Sequence, residues 1–344
     1  MIEGLDKVLD GTGQPGLHEL RDLLGELLHG PSVDGSFIGH QNLQRRSMRV
    51  FRLRFSINGS VRTWIVKRLA PEIARRNELV AKRWLPAVGL NDLGPPLAGS
   101  VADRSGAWVW HVYHDLGAHE LDPQDASVDA VRTAIEQIAQ MHTRFARHAL
   151  LGEVRLHGGD LGMHFVESNV RDAIYALEAC QESPHQELRD RLLRRLYTIR
   201  SELPQREQVL KKWGGPETLL HGDLWAINVF VMQSANGLRA RLIDWDHAAV
   251  GPFSYDLSTF LLRFPRERRL SILKLYTEEV ARGGWHLPTQ AELNALFETA
   301  EYARFANSVI WPAIALVMDH AEWGFEMFAE IDRWFENFEP VLPL

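Results

Sequence analysis

The chain has 344 residues and a formal net charge of −7, with 45% hydrophobic and 24% charged residues. A chain of this length and composition can bury a large core and form one large domain or two lobes. Its one cysteine, Cys180, excludes an intrachain disulfide and favours a buried thiol. The start of the chain has no apolar stretch typical of a secretory signal, and the apolar run at residues 308–318 is too short to span a bilayer. We therefore expect a cytoplasmic protein without a membrane partner.

Charge is distributed unevenly along the chain. Residues 298–344 hold nine acids and two bases, whereas residues 37–70 hold eight bases and no acid. A basic amino-terminal part favours a polyphosphate ligand and an acidic carboxy-terminal part favours a cationic acceptor, although solvated surfaces would give the same counts. An acidic chain without a recognised nucleic-acid-binding motif is not expected to bind nucleic acid.

Hydrophobic periodicity predicts the first elements. Leucines recur at helical spacing over residues 17–28 and predict an amphipathic helix. Apolar and basic residues alternate over residues 49–57 and predict a strand. Asn58-Gly59 then provides a tight turn, and residues 61–69 return as the second strand of a hairpin. Lys67 lies near the end of this second strand.

A helix and a further strand follow. Pro71 suits the first position of a helix that continues to about Leu85 and carries Glu78. Residues 107–113 read AWVWHVY, and such a run of large apolar residues predicts a buried strand. His114-Asp115-Leu116-Gly117 follows that strand as a connecting segment.

Most of the remaining chain is predicted to be helical. The strongest amphipathic pattern covers residues 128–147. Further helices are expected, in chain order, at residues 164–180, 186–202, 254–264, 268–283 and 289–317 and in the aromatic-rich stretch at 323–338.

The most informative stretch is 219–256, LLHGDLWAINVFVMQSANGLRARLIDWDHAAVGPFSYD. Two short apolar strands flank Asn236-Gly237 and predict a hairpin. This hairpin would bring Asp244 back beside Asn228. A carboxylate and an amide side by side suit a hard cation such as Mg²⁺. Asp223, in the loop before the hairpin, is suited to accept a proton from a hydroxyl that attacks phosphorus.

These motifs, taken in order, resemble the aminoglycoside phosphotransferase family of small-molecule kinases. The residues that carry the resemblance are His221-Gly222-Asp223-Leu224 with Asn228, Ile243-Asp244-Trp245-Asp246, and the GPFSYDL stretch at 251–257. The resemblance implies an α+β, bilobal protein-kinase-like fold, with a small β-rich N-lobe and a larger, mostly helical C-lobe. We expect the N-lobe at residues 1–116, with an extra amino-terminal helix and the nucleotide site. The C-lobe at 117–344 would hold the catalytic loop, the metal site and the acceptor pocket.

The resemblance also implies roles for single residues. Asp223 would be the catalytic base, and Asn228 and Asp244 would hold Mg²⁺. Lys67, braced by Glu78, would bind the α- and β-phosphates of ATP.

Other nucleotide contacts are implied by position. Backbone groups from Val112 to His114 would meet the adenine edge. The phosphate loop would be Gln44–Arg49, which contains Ser47 but no glycine. Glycines let backbone N–H groups approach a phosphate closely, so arginine side chains would have to replace that contact here. GTP is the alternative donor to ATP.

Three functions fit the sequence. The first is a kinase that transfers the γ-phosphoryl group to a hydroxyl of a small polar metabolite or an aminoglycoside-like antibiotic. The second is a protein serine/threonine kinase, and the third is a catalytically weak nucleotide-binding regulator suggested by the glycine-less loop. The HGD triplet in place of HRD, and the absence of an activation segment between DFG and APE motifs, favour the first. The sequence does not indicate an oligomeric state.

Overall fold

The computed structural model describes residues 13–28, 35–43, 49–180, 186–235 and 237–343. The chain forms two compact units. The first comprises Met1–Glu120 and Asn228–Asp246, and the second Leu121–Ile227 and His247–Leu344. The division into functional lobes after residue 116 stays a prediction, since compactness alone does not assign a ligand to either part.

The strands are short and antiparallel. In chain order they are β1 (Gly35–Asn42), β2 (Val50–Ile57), β3 (Ser60–Leu69), β4 (Leu97–Ala102), β5 (Val109–His114), β6 (Thr218–Leu220), β7 (Val229–Ser234), β8 (Gly237–Leu242) and β9 (Ala249–Gly251).

Most of the helices belong to the second unit, and three lie in the first. In chain order they are α1 (Leu17–Leu28), α2 (Pro71–Leu79), α3 (Leu85–Ala87), α4 (Val128–Phe145), α5 (Leu151–Gly158), α6 (Met163–Ala179), α7 (Gln186–Trp213), α8 (Ser254–Arg263), α9 (Arg266–Arg282), α10 (Gln290–Asp319) and α11 (Trp323–Asn337). A π-helical turn, Val80–Trp84, joins α2 to α3. Within the described residues, no helix is both long enough and apolar enough to cross a bilayer.

A five-stranded sheet dominates the first unit, in the order β1-β2-β3-β5-β4. Alternate residues of β2 are buried, and the buried leucines of α1 belong to the same apolar cluster. The predicted hairpin of β2 and β3 is confirmed. Asn58 (φ +50°) and Gly59 (φ +76°) form its turn, and a two-residue hairpin turn of this kind needs positive φ at both positions.

The β7–β8 hairpin also belongs to the first unit. The predicted hairpin is formed, and Val229 pairs with Leu242 in its register. The N–H of Leu242 donates to the carbonyl oxygen of Leu93 at 2.7 Å, and Arg239 pairs with Asp92 at 2.6 Å. The hairpin is thereby attached to the loop before β4.

The core of the second unit is helical. Apolar residues of α6, α7, α10 and α11 form one buried cluster, which includes Cys180 as the free thiol that the sequence predicts. Helix α7 continues to Trp213, beyond the predicted end at residue 202, although Pro204 lies inside it. Proline removes one helical hydrogen bond. Beyond the proline, Arg206 holds the helix in place, because it pairs with Glu202 at 2.6 Å and with Glu298 of α10 at 3.7 Å.

Candidate functional site

Lys67 of β3 is the centre of a charged cluster in the first unit. Its Nζ lies 2.6 Å from Asp244 Oδ1 and 2.8 Å from Asp246 Oδ1, and its side chain is only 13% exposed. Burial lowers the pKa of this ammonium, but the charges and hydrogen bonds of the two aspartates outweigh burial, and the net shift is upward. Lys67 is therefore a fixed cation at neutral pH.

The β7–β8 hairpin positions Asp244. The N–H of Ile243 donates to the carbonyl oxygen of Asn228 at 2.9 Å, so Asn228 and Asp244 lie at the same end of the hairpin, as predicted. Asp244 has φ +63°, an uncommon conformation for a residue other than glycine. Backbone outliers of this kind cluster at functional sites, where the surroundings hold them in place.

Asp246 also belongs to this cluster, although the sequence analysis predicts no contact for it. Its Oδ1 accepts a hydrogen bond from Asn77 Nδ2 at 2.9 Å, and its backbone carbonyl accepts one from the Arg76 guanidinium. Asn77 is buried within α2, where asparagine is a poor helix former. An asparagine inside a predicted helix was therefore the one sign in the sequence that its side chain has a partner outside the helix.

Glu78 has other partners than the predicted one. Its Oε1 lies 3.5 Å from His111 Nε2, and its Oε2 lies 3.8 Å from Lys82 Nζ. Within the described part of the chain, the predicted contact between Glu78 and Lys67 is not formed, because the two aspartates hold the lysine. The role of Glu78 at a nucleotide stays a prediction.

His111 lies opposite Lys67 in the register of β3 and β5. The ring is fully buried, and its Nδ1 lies 2.8 Å from the Tyr113 hydroxyl. Burial is the main reason that the pKa of His111 falls to about 4; Glu78 opposes the shift, and Lys67 and Lys82 add to it. His111 is therefore neutral at physiological pH.

Two of the three remaining residues predicted for the nucleotide site are described by the structure. Val112 is buried and pairs within the sheet with both β3 and β4, so its backbone is not at an open edge. His114 ends β5, where its ring stacks on Trp64 at a centroid distance of 4.5 Å and its N–H donates to Pro96 O. Ser47 lies outside the described residues. The roles of all three at a nucleotide stay predictions.

The loop that carries Asp223 is anchored in the second unit. The buried carboxylate of Asp256 accepts the backbone N–H of His221 at 2.7 Å and that of Gly222 at 2.9 Å. The N–H of Asp223 donates to His221 Nδ1 at 3.3 Å. The backbone of the whole His-Gly-Asp triplet is thus fixed from within the protein.

Gly222 permits this arrangement. It has φ +81°, and a Cβ at this position would lie 1.9 Å from the carbonyl oxygen of His247. A side chain is therefore excluded both by the backbone conformation and by the close approach of a rigid carbonyl group.

Asp256 is ionised within the core. Burial raises its pKa, but the hydrogen bond and charge of His142, together with His221, outweigh burial, and the net shift is downward. His142 Nε2 lies 3.4 Å from Asp256 Oδ2, and its Nδ1 lies 2.8 Å from the Tyr276 hydroxyl. His142 therefore supports the anchor of the loop.

The donors around Asp244 suit magnesium. In the described residues, no group of three or more His, Cys, Asp or Glu side chains could hold a metal ion. Mg²⁺ does not require such a cage, because it is usually held by one or two protein oxygens, substrate phosphates and water. The carboxylate of Asp244 and the amide oxygen of Asn228 supply ligands of the required type.

In the first unit, Lys67 of β3 pairs with Asp244, which follows the β7–β8 hairpin. In the second unit, Asp256 anchors the loop that carries Asp223. Together these two features define a kinase-like phosphotransferase. The model of the phosphotransferase enzyme family (APH) matches residues 47–312. The chain belongs to this family. It is therefore a small-molecule phosphotransferase that uses a hydroxyl group as acceptor.

Solved structures show the same fold at low sequence identity. A spectinomycin phosphotransferase, in complex with ADP and spectinomycin, has a TM-score of 0.59 at 14% identity, over 94% of this chain and 95% of its own. The GDP complex of an aminoglycoside 2'-phosphotransferase has a TM-score of 0.57 at 17% identity, over 94% and 100%. A choline kinase of Streptococcus pneumoniae has a TM-score of 0.54 at 14% identity, over 93% and 99%. A comparison with curated proteins found no significant match. The predicted α+β, protein-kinase-like fold is confirmed.

Proposed function

We propose that this protein transfers the γ-phosphoryl group of ATP to a hydroxyl of a small polar metabolite or an aminoglycoside-like antibiotic, with Asp223 as the catalytic base. The observation that carries the proposal is the pairing of Lys67 on β3 with Asp244 after β8. A buried lysine and an aspartate with positive φ, distant in sequence, are in contact, and this contact supports Lys67 as the phosphate ligand and Asp244 as the metal ligand of the proposal.

The nucleotide is bound by groups of the first unit in this proposal. Lys67 holds the upstream phosphates, and Asn228 with Asp244 holds Mg²⁺. When bound, the ion neutralises charge on the phosphates. Val112 and His114 are the proposed neighbours of the adenine, and Ser47 belongs to the proposed phosphate loop. ATP is the proposed donor and GTP the alternative, since related structures are complexes with ADP, AMP or GDP.

Asp223 acts on the acceptor. Its carboxylate accepts a hydrogen bond from the acceptor hydroxyl and takes the proton as the oxygen attacks the γ-phosphorus. The bond from that phosphorus to the bridging oxygen breaks, and ADP leaves with the electron pair. Phosphoryl transfer depends mainly on positioning and on electrostatic stabilisation, so the anchoring of this loop by Asp256 is part of the proposed mechanism.

Among the described residues, no specific contact favours the other two functions. A catalytically weak regulator would not need the anchored Asp223 loop together with the Lys67–Asp244 pair. A protein kinase would need a surface for a peptide, and no described contact indicates one.

Release of ADP tests the proposal. Wild-type protein is incubated with Mg-ATP or Mg-GTP and a panel of aminoglycosides, other antibiotics, amino sugars, sugar acids, choline-type amines and nucleosides. The expected result is ADP release with one acceptor class, lost in Asp223→Asn and kept in Asp172→Asn, which changes an aspartate exposed on α6. Absence of both turnover and nucleotide binding in the wild-type protein would refute the proposal.

A further inference from the structure

Arg263, the last residue of α8, lies against the loop that carries Asp223. Its guanidinium carbon is 3.3 Å from the centroid of the Trp225 ring. At this distance the guanidinium must lie flat on the indole, because an edge-on group would bring its nitrogens inside van der Waals contact. Trp225 follows Asp223 by two residues, and its N–H donates to the carbonyl oxygen of Asp223 at 2.8 Å. The stacked arginine is therefore attached to the catalytic loop.

The hydrogen-bond donors of Arg263 are not used within the described residues. Its Nε is buried without a hydrogen-bond partner, and no described carboxylate forms an ion pair with it. A guanidinium has five N–H donors in its plane, and a stacked guanidinium directs them outward from its edge. Such a fork matches the two oxygens of a carboxylate or a phosphate.

The neighbouring Arg304 differs in this respect. It donates to Glu301 and to Ser258 Oγ, and its guanidinium also lies over the Tyr255 ring at 3.7 Å. Glu301 in turn accepts from Ser258 at 2.7 Å. Arg304 is therefore neutralised and bonded inside the protein, whereas Arg263 has no such acceptor among the described residues.

The charges around Arg263 do not fully compensate its burial. Burial lowers the pKa of its guanidinium and Arg304 adds to that shift, while Glu301 and Asp223 oppose it without reversing it. Stabilising the end of α8 through the helix dipole is the simpler role for a basic residue in the last turn. That role does not require stacking on Trp225, and it leaves the planar donors without acceptors.

Most acids of the carboxy-terminal region are paired with arginines. Five of the nine acids in residues 298–344 are ion-paired with arginines, namely Glu298, Glu301, Asp332, Glu336 and Glu339. Asp332, for example, is buried and lies 2.8 Å from Arg191 and 3.3 Å from Arg195. Five acids of this region thus neutralise arginines within the second unit, and for these five the acidic composition is no evidence for a cationic acceptor.

We propose that the acceptor carries an oxyanion, a carboxylate or a phosphate, and that Arg263, stacked on Trp225, binds it while the acceptor hydroxyl meets Asp223. This inference rests on the proposed function. It replaces the cationic acceptor favoured by composition with an anionic one. Arg263 is an acceptor-binding residue in this account and takes no part in the proton transfer.

Matched probes of different charge test the inference. Gluconate, glucose 6-phosphate, glucose and glucosamine share a hydroxylated six-carbon skeleton and differ in charge. Binding of each is measured by calorimetry, and phosphorylation by ADP release with Mg-ATP. The proteins are wild type, Arg263→Gln, Arg263→Lys and Arg282→Gln. Arg282 is the matched control because it is likewise the basic residue of a last helical turn, that of α9, and is exposed.

The wild-type protein is expected to bind gluconate or glucose 6-phosphate more tightly than glucose, and glucosamine least tightly. Loss of a bidentate charge-assisted contact in Arg263→Gln should weaken anion binding about 10- to 100-fold. Arg263→Lys keeps the positive charge but lacks the planar pair of donors, so its anion affinity should lie between those of the wild type and Arg263→Gln. The anion affinity of Arg282→Gln should match that of the wild type. The better of the two anions distinguishes a carboxylate from a phosphate group.

A charge reversal adds a test by sign. Arg263→Glu should reverse the order, so that glucosamine binds more tightly than gluconate, while its thermal unfolding midpoint shows whether it is folded. If it is unfolded, Arg263→Lys and Arg263→Gln carry the test. Equal binding of all four probes, or a preference unchanged in Arg263→Gln, would overturn the inference.

Kinetics separate this inference from the proposed function. Arg263→Gln should raise KM for an anionic acceptor and leave KM for ATP unchanged. An equal fall in kcat for every acceptor, with KM unchanged, would mean that the guanidinium serves the transferred phosphoryl group, and would overturn the inference alone. A wild-type protein that phosphorylates no acceptor and binds no nucleotide would instead refute the proposed function.

Discussion

Asp256→Asn is the substitution whose effect follows most directly from the structure. The wild-type carboxylate accepts the backbone N–H groups of His221 and Gly222 and faces His142 in the core. The asparagine amide has the same size, but it keeps one acceptor oxygen and turns an NH₂ group toward a backbone donor. The change therefore removes the negative charge and one hydrogen bond, and it leaves a buried N–H group without an acceptor.

The magnitude can be worked from these contacts. A hydrogen bond to a charged group contributes about 1.5–3 kcal/mol, and an unsatisfied buried donor costs about 1–3 kcal/mol. The two terms give about 2.5–6 kcal/mol of lost unfolding free energy. This range includes the roughly 3–5 kcal/mol found when one partner of a buried ion pair is removed. The loop that carries Asp223 would also lose its anchor, and a misplacement of about 1 Å can lower a rate by about 100-fold.

Two assays measure the two effects. Denaturant unfolding, followed by circular dichroism, gives the loss of stability, and ADP release at saturating ATP gives kcat. Affinity for Mg-ATP should be retained, because its proposed ligands lie in the first unit. Asp172→Asn serves as the control for an exposed aspartate. If Asp256→Asn unfolded at the wild-type denaturant concentration and kept the wild-type kcat, the anchoring role would be refuted.

The effect of Asp256 depends on pH in a defined direction. The folded-state pKa of Asp256 lies below the ordinary value of 3.8. Its stabilising contribution is therefore complete above that value and is lost as the pH falls through the folded-state pKa. The difference in stability between wild type and Asp256→Asn should be constant near neutral pH and should shrink in acid. A difference that grew as the pH fell would contradict the assignment.

Three further substitutions test the remaining contacts. Gly222→Ala should lower kcat by at least about 100-fold, because its Cβ would displace the loop from the His247 carbonyl; wild-type turnover would show that the loop can relax. Asp244→Ala should raise the magnesium concentration needed for half-maximal activity and weaken Mg-ATP binding in calorimetry, and an unchanged affinity would remove its metal role. Lys67→Met should raise KM for ATP more than KM for the acceptor, since it removes the cation proposed for the phosphates, and the opposite ratio would place Lys67 at the acceptor.

Elements with strong local signals were predictable from the sequence. The β2–β3 hairpin has an alternating strand and an Asn-Gly turn, and both features depend only on neighbouring residues. The same argument predicts that Asn228 and Asp244 meet at one end of the β7–β8 hairpin. Strands β1 and β4 were not predicted, because glycine and small or polar residues weaken their alternation. Strands β6 and β9 have three residues each and are formed by tertiary pairing.

Contacts between distant charges were less predictable. The sequence offers Lys67 several acids, and the structure pairs it with Asp244 and Asp246 and not with Glu78. Which carboxylate holds the lysine depends on how helix α2 packs, and periodicity does not report that packing. The stacking of Arg263 on Trp225 likewise depends on tertiary packing. Composition therefore favoured a cationic acceptor, whereas the anionic acceptor proposed above rests on Arg263, whose stacking on Trp225 composition does not report.

Transfer of a radiolabelled γ-phosphoryl group from ATP to an acceptor tests the central claim most directly. The rate is measured for wild type, Asp223→Asn and the control Asp172→Asn, and Mg-ATP affinity is measured for each. General base catalysis contributes about 10²- to 10⁴-fold, so Asp223→Asn should lose at least about 100-fold in transfer rate while it binds Mg-ATP as the wild type does. Transfer by Asp223→Asn at the wild-type rate would contradict the assignment of Asp223 as the base.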